Sequence, residues 1–262
     1  DKLGQPMVNL GLQRDWGDVN LFVMPYFRER TFAGSDGRLR GATPVDTDQT
    51  VYESGREQWH PDVAVRYATV IGDWDLGLAH FRGTSREPRF VKGSDSGGDE
   101  VFVAHYDLID QTSIDAQVTI DEWLLKMEGF YRSGHGDGFG AMSLGFEYTF
   151  FGVVNDAGDL GLLAEYHNED RGAGAPATQM DDDIFLGARI TLNDVEDTSF
   201  LAGLIVDRNT QATSFSVEAS RRLTDSLSVE IEGRSSAGLT TADPSYGARQ
   251  DHHIQIRLSY YM

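Results

Sequence analysis

The last ten residues of the chain alternate strictly between apolar and polar side chains. One face of an extended strand would carry Ile254, Ile256, Leu258, Tyr260 and Met262, and the other face His253, Gln255, Arg257, Ser259 and Tyr261. A helix would scatter the apolar residues around its circumference, so the pattern predicts a β-strand. Such a strand at a chain end is typical of the closing strand of an outer-membrane barrel. The last strand of a soluble sandwich would show the same pattern.

The same alternation recurs in about 12 to 14 segments of roughly ten residues, the length that a tilted strand needs to cross a bilayer. Connections between the segments alternate in length, as in outer-membrane barrels, whereas a soluble sandwich has no reason to separate its loops by length. The short turns lie near Gly17, Gly72, Asp121, Asp156, Asp194 and Asp225. We therefore predict an all-β fold over residues 1–262, a single transmembrane antiparallel up-and-down β-barrel.

Aromatic residues cluster where the predicted strands meet the short turns. The set is Trp16, Trp74, Trp123, Phe150, Phe151 and Tyr260. Aromatic belts of this kind mark the interface between a membrane and water.

The strand count predicts how the barrel closes. Bacterial barrels normally have an even number of strands with both ends in the periplasm, but counting back from Met262 places the first strand's start on the opposite side. We therefore expect this chain to be the C-terminal part of a larger barrel, or the strand count to be wrong by one. Its last strand would pair with a strand before Asp1, or with Met7–Trp16 if no such strand exists.

Charge and composition exclude several classes of protein. The formal net charge of −20 makes nucleic acid an improbable partner. No run approaches the ~20 apolar residues of a membrane-spanning helix. The chain has no cysteine, which fits an envelope protein, although many cytosolic proteins also lack it. Nearly all its basic residues are arginines, a bias that suits ion pairs in a confined polar space or that reflects a GC-rich genome.

The polar faces of the predicted strands provide candidate pore-lining residues. Basic candidates are Arg28, Arg30, Arg66, Lys126, Arg132, Arg189, Arg234 and Arg257; acidic candidates are Asp115, Glu128, Glu147, Glu165, Asp207, Glu218, Glu230 and Glu232. The equal numbers predict a roughly neutral wall. Facing acidic and basic residues in a water-filled pore would orient polar solutes. The same residues could instead plug the barrel with interlocking ion pairs.

Three loop regions have a functional and a simpler interpretation. Residues 31–61 form a long polar segment, either a constriction loop inside the lumen or a surface loop over the mouth. The clusters Asp95/Asp99/Glu100 and Asp181/Asp182/Asp183 offer oxygen ligands to Ca²⁺ or Mg²⁺, but neither has a complete calcium-loop spacing. A solvated acidic loop explains both clusters, and the metal question stays open.

Two enzyme interpretations have little support. Asp251, His252 and His253, with His135 and Asp137, contain the residue types of omptin-type outer-membrane proteases, and Ser259 with His253 has those of a phospholipase. Neither set forms a recognisable motif, and the chain has no phosphate-binding loop, HExxH or G-x-S-x-G sequence. We therefore expect neither an enzyme nor a cofactor.

Three stretches near the start of the chain resemble a family of proteobacterial porin-like outer-membrane proteins. They are Asp1–Leu10, Arg14–Gly17 and Pro25–Phe32. The resemblance extends over the whole chain and implies a porin-like barrel with no assigned substrate, in which an N-terminal region supplies further strands.

Together these observations predict a Gram-negative outer-membrane channel for the passive diffusion of small polar or charged solutes. Its expected partners are outer-membrane lipid and lipopolysaccharide, and the barrel assembly machinery during biogenesis. The alternative is a structural or adhesive barrel whose acidic loops bind a partner or divalent cations.

Overall fold

The computed structural model describes residues 4–34, 37, 41, 43–241, 243 and 245–262, which form an all-β fold. The strands are β1 (Val8–Arg14), β2 (Gly17–Met24), β3 (Val45–Tyr52), β4 (Asp62–Ile71), β5 (Trp74–Thr84), β6 (Arg89–Ser94), β7 (Glu100–Tyr106), β8 (Leu108–Ile120), β9 (Trp123–Ser133), β10 (Phe139–Val154), β11 (Gly158–Glu169), β12 (Asp182–Thr191), β13 (Ser199–Asp207), β14 (Thr213–Thr224), β15 (Leu227–Ala237) and β16 (His253–Tyr260). Two short 3₁₀ turns occur at Glu57–Trp59 and Tyr246–Ala248.

Thirteen strands form one antiparallel sheet in which neighbours in space follow one another along the chain. The order is β1-β2-β4-β5-β8-β9-β10-β11-β12-β13-β14-β15-β16. The predicted all-β class and antiparallel strand succession are confirmed. Strands β1 and β16 are the two edges of this sheet, and no closed barrel is detected over the described residues. Of the two alternative pairings predicted for the last strand, the one with Met7–Trp16 is not formed among the described residues, and the one with a strand before Asp1 stays a prediction.

The predicted alternation of short and long connections is largely confirmed. Two residues separate β1 from β2, β4 from β5, β8 from β9 and β14 from β15, whereas residues 25–61 and 85–107 separate β2 from β4 and β5 from β8. The connection between β12 and β13, residues 192–198, was predicted to be short but is longer than the connections at 134–138 and 208–212. Asp194 accounts for that exception, since its carboxylate accepts hydrogen bonds from the backbone and hydroxyl of Thr198 and orders the longer turn.

The two longest connections contain strands that the sequence pattern did not predict. Strand β7 pairs antiparallel with β6 and parallel with β3, giving a separate sheet in the order β3-β7-β6. The segment 31–61, interpreted as a loop, therefore contributes β3, and the segment after Gly83 contributes β6 and β7. Pairing of β3 with β7 joins residues about 50 positions apart, so no local pattern reveals it. Of the charged residues in segment 31–61, Arg38 and Arg40 lie outside the described residues.

Pro25 ends β2 earlier than the alternation suggested. Proline has no N–H to donate to a neighbouring strand, and the ladder between β2 and β4 stops at the pairing of Met24 with Asp62. The following segment is extended but not part of a sheet. Two predicted pore-lining residues, Arg28 and Arg30, therefore lie outside the strands.

Two compact units divide the chain. The first comprises Asp1–Ala116, Glu128–Met142 and Glu169–Thr178, and the second Gln117–Met127, Ser143–Asn168 and Gln179–Met262. The first unit contains the small sheet and a buried cluster of Phe27, Ala104 and Tyr106, against which Phe32 and Tyr52 pack. It also contains the buried polar residues Asp62, Thr84, Ser85 and Asp107.

Many large apolar side chains of the large sheet are exposed. Leu10 on one edge strand is 68 % exposed and Ile254 on the other is 78 % exposed. Interior strands follow the same rule, with Val65, Leu144, Leu186 and Phe215 all exposed. Only ten hydrophobic residues of the described chain are buried, and several belong to the small sheet or its surroundings. Among the described residues, no protein segment therefore covers the apolar face of the large sheet.

Candidate functional site

The opposite face of the large sheet is polar and carries most of the predicted pore-lining residues. In the first unit, Arg66 of β4 reaches Asp115 of β8 across β5. Its two terminal nitrogens donate to the two carboxylate oxygens at 2.5 and 2.9 Å. Gly77 of β5 lies beneath this pair, and a β-carbon there would collide with both side chains. The glycine therefore opens the space in which a bidentate ion pair crosses an intervening strand.

A cavity of about 340 Å³ adjoins this ion pair. Gln13, Asp18 and Asp75 line it together with Arg66 and Asp115. Asp18 and Asp75 lie on the polar face by register, since Asp18 pairs with Ala68 and Asp75 with Val70. Neither was among the predicted wall residues, because each lies beside a short turn where the alternation is hard to read.

In the second unit, the same use of glycine recurs between β10 and β12. Arg189 donates to both carboxylate oxygens of Glu147 at 3.0 and 3.2 Å, and Glu147 lies over Gly161 of β11. Glu165 lies over Gly145 in a similar way. Glycines at these positions keep the polar face open enough for long charged side chains to lie along it.

Phe185 is an aromatic residue on this polar face. Its ring occupies the space above Gly187 and Gly203, where a β-carbon would collide with it. The register places Phe185 opposite Glu165 and Ile205. The sequence alternation had assigned no role to Phe185.

The last three strands carry three acidic residues and two arginines in a compact group. Arg257 donates to Glu230 at 3.1 Å, and these residues are direct cross-strand partners. Arg234 bonds Glu232 at 2.5 Å and lies 3.5 Å from Glu218. Glu218 and Glu232 face each other directly across the β14–β15 pair. One guanidinium therefore serves two adjacent carboxylates.

A second set of charges lies in the first unit where strands meet the long connections. Arg132 of β9 and Arg171 each donate to Glu87, at 2.8 and 3.1 Å. Burial alone would raise the pKa of Glu87, but the two arginines outweigh it and hold that pKa below its ordinary value. Both guanidinium groups lie over the Phe139 ring, at 5.6 and 4.9 Å from its centre.

Further buried ion pairs in the first unit tie the small sheet and its flanking segments together. Arg89 of β6 donates to both oxygens of Asp107, at 2.5 and 2.7 Å, and Arg86 pairs with the fully buried Asp62. Arg132 was the only predicted residue among these two groups. Arg86, Glu87, Arg89 and Arg171 lie in segments interpreted as loops, where no periodic pattern marks a charged side chain as buried.

His135 is buried beside this group without a hydrogen-bond partner on either ring nitrogen among the described residues. Its Nε2 lies 3.7 Å from a carboxylate oxygen of Asp107. Burial lowers the pKa of His135 below the ordinary value, and nearby Arg132 and Arg89 oppose its protonation, while Asp107 and Glu87 favour it.

The remaining predicted wall residues are distributed as the alternation suggested. Lys126 and Glu128 lie in β9, in phase with Arg132. Asp207 pairs in register with Asp183, which shares the polar face. Whether any of these residues lines a pore stays a prediction.

Three of the residues considered for catalysis, Ser259, His253 and His252, lie on or beside the last strand. Ser259 and His253 are six positions apart on β16, about 20 Å at the rise of an extended strand, which is too far for a nucleophile and its base. His252 bonds Ser235 at 2.9 Å through Nδ1.

Several carboxylates of the acidic clusters already have protein partners. Asp95 accepts hydrogen bonds from the backbone of Gly97 and Asp99, and Glu100 pairs with Lys92. Asp182 pairs with Arg208 and accepts a bond from Tyr166. Over the described part of the chain, no group of three or more acidic or histidine residues is arranged to hold a metal ion.

No helix among the described residues is long and apolar enough to cross a membrane. No protein-family model matches the sequence, and no curated protein matches it significantly.

Proposed function

We propose that the chain spans the outer membrane of a Gram-negative bacterium as a β-barrel and acts as a porin-like channel for small polar or charged solutes. The observation that carries this proposal is the inverted distribution of side chains in the large sheet. Its apolar face is exposed, and its opposite face holds the ion pairs. A soluble monomer rarely exposes apolar patches above a few hundred Å². Lipid is the environment in which such a face is stable.

The second unit illustrates the apolar band. One cross-strand row consists of Ile190, Phe200, Ala219, Ile231 and Ile256; the next row consists of Ala188, Ala202, Val217, Gly233 and Ile254. Neither row contains a charge. From Ile184 to Ile190 the strand runs roughly 20 Å, which at a tilt of about 40° covers roughly 15 Å of the ~25 Å apolar band of known barrels.

Charged and aromatic groups flank this band at the strand ends. Arg208 and Asp182 pair at one end of β12 and β13, and Arg221 pairs with Asp194 at the other. Trp123 packs against Tyr148 with ring centres 4.7 Å apart, beside the short turn between β8 and β9. Polar and aromatic residues at these depths are what a bilayer interface favours.

Membrane insertion also places a requirement on the two edge strands. Unpaired backbone N–H and C=O groups cost several kcal/mol each in hydrocarbon, so β1 and β16 would both need strand partners there. Outer-membrane lipid, lipopolysaccharide and the barrel assembly machinery are the partners that this proposal implies.

A structural or adhesive barrel is the second candidate. The buried network of Glu87, Arg132 and Arg171 favours it, because interlocked ion pairs at the long-connection end are what a plugged lumen would contain. Exposed acidic loops such as Asp95–Glu100 would then be the surface that binds a partner.

Conductance measurements separate the two candidates. The protein would be refolded into detergent micelles, added to a planar lipid bilayer and recorded at fixed voltage. Stepwise current increases are expected from an open channel, while the same detergent without protein gives none. Membrane insertion without current steps would contradict the channel and favour the structural barrel.

A further inference from the structure

The cross-strand register changes the charge balance that the sequence suggested for the polar face. The prediction of a neutral wall counted Arg28 and Arg30, which lie outside the strands, and omitted acidic residues near strand ends. On β11 to β16 the polar face carries seven carboxylates and four arginines. The carboxylates are those of Asp159, Glu165, Asp183, Asp207, Glu218, Glu230 and Glu232, and the arginines are Arg189, Arg222, Arg234 and Arg257. This wall is acidic.

Each of these arginines forms an ion pair with a particular partner. Because the arginines are fewer than the carboxylates, two carboxylates share one arginine. Arg222 is held by Asp197 in the turn at 192–198, at 3.0 Å. Arg189 is paired with Glu147 of β10. On β14 and β15, Glu218 and Glu232 share Arg234. Like charges directly opposite each other destabilise a sheet. Here the single guanidinium of Arg234 offsets the repulsion between Glu218 and Glu232.

A cavity of about 310 Å³ opens on this pair of carboxylates. Glu218, Glu230 and Glu232 line it, together with Arg189 and Arg257. The side chains of Glu218 and Arg257 are half exposed or more, so the charges are in contact with whatever fills the cavity. The cavity wall therefore carries more negative than positive charge.

A second weakly neutralised carboxylate lies on the same face but outside this cavity, on β12 six residues from Arg189 and therefore roughly 20 Å from it. Asp183 is 2 % exposed, and its Oδ2 has no hydrogen-bond partner among the described residues. Its direct cross-strand neighbours are Asp207 and His167, so no arginine or lysine lies opposite it. A buried carboxylate oxygen without a hydrogen-bond donor is costly unless a cation or a proton neutralises the group.

We propose, on the basis of the proposed channel function, that this wall selects cationic solutes over anions and that Glu218 and Glu232 set the preference. A surface of one charge sign inside low-dielectric walls concentrates ions of the opposite sign. Rings and rows of carboxylates give cation selectivity in channels for this reason. The solutes implied are small monovalent cations and organic molecules with a net positive charge.

The test is the zero-current potential of the refolded protein in a planar bilayer with a KCl gradient. A sign that corresponds to K⁺ passing several-fold more readily than Cl⁻ is expected. Current steps with no preference, or with a preference for Cl⁻, would overturn the selectivity and leave the channel standing. Membrane-inserted protein without current steps would overturn both proposals.

Substitutions assign the effect to the two residues. Glu218→Gln removes one negative charge and relieves the repulsion with Glu232, so it is expected to fold and to lower the ratio of K⁺ to Cl⁻ permeability. Glu218→Asp keeps the charge and is expected to keep the ratio. Glu196→Gln removes a carboxylate from the turn at 192–198 and is the matched control, for which an unchanged ratio is expected. A ratio unaltered by Glu218→Gln and by Glu232→Gln would contradict their assigned role.

Discussion

The small sheet and the large sheet of this protein differ in the burial of their apolar side chains. In the first unit, the small sheet packs against Phe27, whose ring is fully buried and lies 4.8 Å from that of Tyr106. In the second unit, the large sheet leaves Leu186, Phe215 and Ile231 exposed on one face. A single chain thus contains a core of the kind found in soluble proteins and a sheet whose apolar face has no protein cover. These two regions are therefore stabilised by different surroundings, protein in one case and, on our proposal, lipid in the other.

Removing the aromatic centre of the small sheet is expected to have the largest effect. Phe27→Ala deletes a fully buried ring and should destabilise the small sheet by about 3–5 kcal/mol in detergent and in lipid alike. Hydrogen exchange at the amides of β3 and β7, followed against denaturant concentration, would measure this. Phe90→Ala, on the more exposed side of the same sheet, is the control, with an expected cost of about 1 kcal/mol. Equal losses in the two variants would show that Phe27 is not the centre of this core.

A charge on the apolar face of the large sheet is expected to destabilise the protein only when that face contacts lipid. Val217→Arg places a guanidinium in the middle of an uncharged cross-strand row and should lower the stability of the membrane-inserted protein by about 2–4 kcal/mol. Ser216→Arg, on the polar face of the same strand, is the matched control and should cost much less. Urea titrations of refolding into lipid vesicles would compare the two. If Ser216→Arg proved the more damaging variant, the assignment of the two faces would be reversed.

Acidification is expected to have the smallest effect and to act on the first unit. Burial lowers the pKa of His135 in the folded state, so between the ordinary value of about 6.5 and the lower folded value the unfolded chain binds more protons. Stability is therefore complete above about pH 6.5 and declines as the pH falls below it, by at most about 1.4 kcal/mol per pH unit. Hydrogen exchange near residues 134–138 at pH 7 and pH 5.5 would measure the decline.

His135→Gln serves as the control for this pH effect, because it removes the titrating ring. Its hydrogen exchange, corrected for the intrinsic pH dependence, should change less between pH 7 and 5.5 than that of the unaltered protein. An identical pH response in both proteins would assign the effect to other groups.

Much of the large sheet follows from the sequence pattern. The alternation predicted a strand over Phe139–Phe151, and β10 runs Phe139–Val154; it predicted Leu227–Ser235, and β15 runs Leu227–Ala237. Such agreement is expected because the two-residue period of a strand is a local property that each segment carries by itself.

The charged networks could be predicted only in part. Arg189, Glu230 and Arg257 lie on the polar face as their alternation suggested, and they pair with residues that the register brings opposite or near them. Glu87 and Arg171, 84 positions apart, come together through the arrangement of two connections. No periodic signal marks such residues, because their burial depends on what the rest of the chain places around them.

The sequence by itself determined that the chain is all-β, that its long strands have one apolar and one polar face, and that tight turns generally alternate with longer connections. These properties are local, since they depend on the side-chain alternation and on the turn residues of each segment. The tertiary structure alone decided that β3, β6 and β7 form a second sheet and that Glu218 faces Glu232. These properties depend on strand register and on pairing between distant segments, where shifting one strand by a single residue moves every side chain to the opposite face.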